Sequence, residues 1–239
     1  MASEPVLEVR NLRVGLIGGH QILDGASFEI PKGSITGLFG DSGCGKSTLA
    51  LALMGLLPPQ RYRVEGEILL RGRDLLRLPE SEVARVRGAE ISLVLQDPLL
   101  ALNPVLRVRT QIHEVLRAHQ RTADPSSLLA LAGLKEPHRV LEAYPHQLSG
   151  GERQRVTIAQ ALACRAPLVI ADEPFTALDA PRVLELIGLF RRLRADVGVS
   201  FLLISHHPGV LAAAADTTFR MHGGILAAQT VSQERGNGV

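Results

Sequence analysis

The chain is poor in several things at once. It has no tryptophan, two tyrosines and six phenylalanines, 3% aromatic residues in all, so no row of rings is present on which nucleobases would stack. Lysine is scarce, with Lys32, Lys46 and Lys135 the only three among 26 basic residues. Those 26 face 24 acidic residues for a net charge of +2, a balance too mild to hold nucleic acid by charge. Two cysteines, Cys44 and Cys164, make no disulfide framework and suit a reducing compartment. Met1-Ala2-Ser3-Glu4-Pro5 lacks the basic start and apolar core of a signal peptide. No uninterrupted apolar run reaches the length of a membrane span; residues 49–57 run into Pro58-Pro59, so any membrane role has to come through partners. There are no internal repeats and no low-complexity segments. What remains is 239 residues that are 46% hydrophobic, enough to bury a sizeable core and expected to form one unit over 1–239.

The scarcity of lysine makes Lys46 conspicuous. It lies in Gly40-Asp41-Ser42-Gly43-Cys44-Gly45-Lys46-Ser47-Thr48, which fits the pattern G-x-x-x-x-G-K-[ST]. Residues 34–39 read as a buried strand and residues 47–57 as a helix that Pro58-Pro59 ends, so the glycines sit at a strand-to-helix turn. Without Cβ atoms, the backbone there can bring successive N–H groups around phosphate oxygens, and the helix N-terminus adds positive potential. Lys46 supplies a compact charge for β- and γ-phosphates and Ser47 a hydroxyl for Mg²⁺. The bland alternative is an ordinary glycine-rich turn.

A second chemical pair follows Pro167. Four apolar residues read as a buried strand, and its end exposes Asp172 and Glu173 where open α/β sheets bind ligands. Neighbouring carboxylates on a strand point to opposite faces, which predicts different tasks: Asp172 on Mg²⁺, Glu173 orienting or deprotonating an attacking water. Upstream, Ser149-Gly150-Gly151 opens a helical segment over 152–165, a second helix start able to bind an anion. Gln96 follows a strand over 91–95, and its amide can accept from water or reach a metal; alone it is a loop residue. His206 follows an apolar strand over 199–204, where a lone histidine is more often structural.

The rest of the chain is organised around these motifs. Residues 6–14 and 22–30 alternate as strands about a Gly18-Gly19 turn, and residues 64–70 form a further strand. From 97 to about 165 the pattern turns helical, with segments near 108–121 and 125–134 broken by prolines. Strand and helix alternation resumes from 167 to 221. The polar tail from Gln229 onward is expected to be mobile.

The order Gln96, Leu148-Ser149-Gly150-Gly151-Glu152, Leu168-Val169-Ile170-Ala171-Asp172-Glu173, Ala177-Leu178-Asp179 and His206 resembles the ATP-binding cassette (ABC) transporter ATPases over nearly the whole chain. The resemblance implies an α/β fold: a P-loop NTPase (RecA-like) core with an antiparallel β subdomain and an inserted helical subdomain at about 97–165. It implies ATP and Mg²⁺ as cofactors, with Ser47, Gln96 and Asp172 toward the metal. It implies Lys46, Gln96, Glu173 and His206 as catalytic residues, His206 being the switch histidine at the γ-phosphate. Ser149, Gly150 and Gly151 would complete the ATP site of a neighbouring subunit. His207 stands where the family usually has an acidic residue.

Within that family, Gln96-Asp97-Pro98-Leu99-Leu100-Ala101-Leu102-Asn103-Pro104 looks like the Q-D-P-x-x-[AS]-L-N-P segment of peptide and nickel importer ATPases. Those imply a non-identical second ABC ATPase subunit, two transmembrane permease subunits and, indirectly, an extracytoplasmic solute-binding protein, with the chain on the cytoplasmic face of the membrane. The chain stops before the cysteine-bearing extension of many peptide-importing members, which tips the expectation slightly toward nickel. The scattered histidines are not evidence for it. The different-class alternative is a soluble ABC ATPase of translation or DNA maintenance. It fits less well, because one set of motifs is present and only 51 residues separate Gln96 from Leu148. A catalytically silent cassette is disfavoured by the presence of Lys46, Asp172, Glu173 and His206. Adenine, usually stacked on an aromatic residue upstream of the phosphate loop in this family, here meets only Leu16, Ile17 and His20.

Overall fold

Three short segments, 35–40, 168–172 and 200–205, are apolar almost without a break, and each is a strand buried on both faces, as a parallel sheet between two layers requires. The computed structural model describes residues 4–176 and 178–229. Its strands are β1 (Pro5–Leu16), β2 (Gln21–Pro31), β3 (Ile35–Gly40), β4 (Tyr62–Leu70), β5 (Arg73–Asp74), β6 (Ile91–Val94), β7 (Leu168–Asp172), β8 (Ser200–Ser205), β9 (Thr217–His222) and β10 (Ile225–Gln229). One sheet is antiparallel, in the order β2-β1-β4-β5. The other runs β10-β9-β3-β8-β7-β6, parallel from β9 to β6 with β10 antiparallel at its edge.

The two-residue period of the central strands assigns their side chains to two cores. Val169, Ala171, Phe201 and Leu203 pack beneath the helices, while Leu168, Ile170, Leu202 and Ile204 face the antiparallel sheet with Leu7, Leu23, Ile30 and Leu70. Helix α1 (Lys46–Leu53) lies in the second core through Leu49 and Leu53. The remaining helices are α2 (Glu80–Val86), α3 (Pro98–Ala101), α4 (Val108–Ala118), α5 (Pro125–Leu131), α6 (Pro137–Glu142), α7 (Gly150–Leu162), α8 (Ala180–Val197) and α9 (Pro208–Ala214). Thus α3 to α7 occupy the stretch expected to be helical, with α5 against α6 and α7, and α7 against β6.

Several helices are shorter than their apolar patterns suggest. The helix expected over 47–57 ends at Leu53 instead of at the prolines. Gly55 adopts φ +61°, and the Arg87 guanidinium takes the freed carbonyls of Met54 (2.8 Å) and Gly55 (2.6 Å), the two devices by which helices commonly stop. Gln120 at φ +52° and Gly133 at φ +83° likewise cut the expected 108–121 and 125–134 segments to α4 and α5. The signature helix begins at Gly150 rather than Glu152 and ends at Leu162, before Arg165 at φ +55°. Gln229 closes β10; the rest of the expected tail, 230–239, lies outside the described residues, as does Ala177.

Candidate functional site: one edge of the parallel sheet

Because β3, β8, β7 and β6 are parallel and paired in register, Phe39 opposite Ser205, Asp172 opposite Ile204 and Val94 opposite Ala171, their carboxyl ends fall on one edge. That edge is where open α/β sheets hold ligands. In a row it carries the loop 40–45, His206, the pair Asp172-Glu173, and Gln96.

The loop is built by backbone that only glycine tolerates. Gly45, which caps α1, has φ +111°, and a Cβ there would stand 2.8 Å from Leu23 Cδ2. At Gly40 a Cβ would lie 2.2 Å from the Met221 carbonyl oxygen of β9. Asp41, Ser42 and Gly43 are exposed above this floor, whereas Lys46 is buried. The Lys46 Nζ donates to the carbonyls of Gly40 (2.8 Å) and Asp41 (3.0 Å) and lies 4.0 Å from Cys44 Sγ, so its charge is folded onto the loop. Ser47 and Thr48 begin the helix beside it.

Asp172 ends β7 and is buried. Burial is the largest influence and pushes its pKa up; Glu173 pushes the same way, while the Ser47 hydroxyl and Lys46 oppose. Its Oδ1 has no hydrogen-bond partner among the described residues. A buried carboxylate oxygen with no donor, beside a serine hydroxyl and a loop suited to phosphates, fits a divalent cation held by oxygen ligands. Glu173 differs from the expectation for a strand residue, since it has left the strand with φ +49° and its N–H donates to the Ile204 carbonyl at 2.9 Å. The different surroundings of the two carboxylates therefore come from this turn, and not from strand alternation. Glu173 Oε2 lies 2.9 Å from His206 Nδ1 and accepts from Thr176 Oγ1 at 3.4 Å. His207 precedes α9; its N–H donates to Ser205 Oγ (3.1 Å), and its ring lies 3.8 Å from that of His206.

Gln96 follows β6 as expected but is exposed, and no hydrogen bond joins it to the other site residues among those described. Among the described residues, Ser149, Gly150 and Gly151 are not brought to this edge by any hydrogen bond. Ser149 is the N-cap of α7, and Ser149 and Gly151 line a separate cleft with Lys135, Arg139 and Arg182. Among the described residues a Cβ on Gly150 or Gly151 would meet nothing within 4 Å, so nothing in their packing calls for glycine there.

A family model described as ABC transporter matches residues 23–176. The chain belongs to that family. The cassette, an ATP-binding and ATP-hydrolysing unit, is 42% identical over 234 residues to the dipeptide transport ATP-binding protein DppD of Bacillus subtilis, covering 94% of this chain and 70% of that one. It is 40% identical over 231 residues to the oligopeptide transport ATP-binding protein OppD of the same organism, covering 92% of this chain and 64% of the relative. Among solved structures, a dimeric bacterial ABC transporter cassette, MJ0796, superposes with a TM-score of 0.81 at 25% identity, covering 95% of this chain and 99% of the other.

Sequence reasoning missed two residues around Glu173 and one at the start of α7. Thr176 bonds Glu173, and Gln154 of α7 reaches the Pro174 carbonyl just after Glu173; neither carries a local signal. Glu152 closes a capping box with Ser149, which the spacing S-x-x-E announces.

Proposed function

We propose that the chain is the ATP-hydrolysing subunit of a peptide importer, working as one of a pair of cassettes beneath two transmembrane permease subunits. No helix among the described residues is long and apolar enough to cross a membrane, which supports attachment to the cytoplasmic face through those permeases, with a solute-binding protein acting outside. Both relatives named above are peptide transport subunits, and neither name mentions nickel, so the slight tilt toward nickel is dropped. The relative MJ0796 is dimeric, and a second, non-identical cassette is the partner that the Gln96 to Pro104 segment suggests.

In this reading the backbone of Gly40, Asp41, Ser42, Gly43, Cys44 and Gly45 wraps the phosphates, with Ser47 and Thr48 at the helix start below. Lys46 turns from the Gly40 and Asp41 carbonyls to the β- and γ-phosphates. Ser47 and Asp172, with Gln96 on closure, would hold Mg²⁺, which when bound neutralises charge on the phosphate oxygens. Glu173 orients a water and takes its proton, and His206 at the γ-phosphate keeps that carboxylate in place through Nδ1. The unobstructed start of α7, Ser149 to Gly151, meets the γ-phosphate of the partner's ATP, so binding closes the pair and hydrolysis reopens it.

The reading rests chiefly on one observation, the contact between Glu173 and His206 on the same sheet edge as Lys46 and Asp172. Its test separates binding from chemistry. Glu173→Gln should retain ATP while turnover falls by about 10²- to 10⁴-fold, the usual contribution of a general base; Lys46→Ala should lose both. Near-normal phosphate release by Glu173→Gln would exclude the assignment.

A further inference from the structure

The start of α7 carries a charge at odds with its expected ligand. On the reading just given, on which this inference rests, a γ-phosphate arrives at Ser149 and Gly151, yet the next residue is Glu152. Its Oε2 accepts the Ser149 N–H at 2.8 Å, and its own N–H donates to Ser149 Oγ at 3.2 Å. The carboxylate is thereby folded back over the first turn. For a lone helix that is favourable, because an anion there satisfies a free N–H and complements the helix dipole. For an incoming phosphate it is a rival for the same positive potential.

A counter-charge is supplied from another element. Arg139 of α6 donates Nη2 to Glu152 Oε1, and its Nε lies 3.1 Å from Glu136 Oε2. Both Glu152 oxygens are therefore committed, one to the cap and one to the arginine. Burial works against this carboxylate, and the bonds from Ser149 and Arg139 outweigh it, so it stays ionised below the ordinary range. The same cleft carries Lys135, Arg155 and Arg182, but Arg155 is turned to the Ala132 carbonyl and Glu185. Arg139 is the cation bonded to Glu152.

We propose that Arg139 is a positioning residue for ATP turnover: it neutralises Glu152 and holds it in the capping box, so that the start of α7 stays open to a neighbouring chain's γ-phosphate. Without Arg139, Glu152 would be an unpaired anion at the place where the phosphate has to approach.

The test uses the full chain assembled with its partner cassette at saturating Mg-ATP. Arg139→Gln should slow turnover at least tenfold, or about 1.4 kcal/mol, with ATP binding to the separate chain unchanged. The deficit should shrink as salt screens the repulsion, which a packing defect would not do. Arg139→Lys, which keeps the charge, should recover most of the rate. In a Glu152→Gln background the loss of Arg139 should cost less than about twofold, because the amide still caps Ser149 without a charge. A double variant as slow as Arg139→Gln would overturn the proposal, as would wild-type turnover by Arg139→Gln. Gly151→Asp tells the two levels apart. If it turns over normally, the phosphate site at α7 falls and the role of Arg139 falls with it. If it is inactive with ATP binding intact while Arg139→Gln is normal, only the role of Arg139 is lost.

Discussion

Replacing Asp172 by asparagine should make the nucleotide-free chain more stable while spoiling its response to Mg-ATP. The carboxylate is buried at the end of β7, its Oδ1 has no partner among the described residues, and burial with the adjacent Glu173 pushes its pKa up. A buried polar oxygen left without a donor costs about 1–3 kcal/mol. Asparagine removes the charge but keeps an oxygen that can accept from Ser47, so a gain of about 1 kcal/mol is expected, part of the penalty remaining with the amide. For a chain of this size that corresponds to a rise of about 2–4 °C in melting temperature.

The sign of the pH dependence follows from linkage. A carboxyl whose folded pKa is raised takes up its proton on the folded chain first. Its destabilising effect is absent below the unfolded value, near 3.8, grows as pH rises toward the raised folded value, and is complete above it. The advantage of Asp172→Asn should therefore grow as pH rises from the unfolded value toward the raised folded one and fade toward pH 4. Thermal unfolding followed by circular dichroism, with and without Mg-ATP, measures both effects. Wild type at a hundredfold excess over Kd should gain about 2.7 kcal/mol from the ligand, and the variant clearly less. An apo variant less stable than wild type at neutral pH would refute the argument, because Ser47 and Lys46 would then already satisfy the carboxylate.

Two other outcomes test the surroundings of the loop. Cys44 is partly exposed beside Lys46, so a thiol reagent should label it in the free chain, and Mg-ATP should protect it; labelling that ignores nucleotide would place the loop elsewhere, as mass spectrometry would show. Leu16, at 39% exposure, and Ile17, at 64%, line one groove with His20. A missing aromatic stack forgoes about 0.5–1.5 kcal/mol, so GTP should compete with labelled ATP within about tenfold and His20→Ala should narrow the gap further; strong ATP selectivity unchanged in that variant would put the base elsewhere.

The chemistry-bearing motifs were legible because each follows an apolar strand, and a strand end is a local feature. Their neighbours were not. The contact between Glu173 and His206 exists because β8 is inserted between β3 and β7, an order that no local pattern encodes. Helix ends were overextended for a related reason. Leu56 and Leu57 continue the apolar run past Gly55, and the approach of Arg87, 32 residues away at the end of α2, completes the turn that Gly55 begins. The same distinction separates the two halves of the α7 start. Ser149 and Glu152 are three residues apart and form a capping box readable by spacing alone. The partner of Glu152 is Arg139, in a different helix, and in sequence it is one arginine among many. Sequence could therefore reveal that an acidic cap was present where a phosphate was expected, a local conflict. The fold supplies the cation that resolves it, which is why the charge balance of this site is a property of tertiary structure.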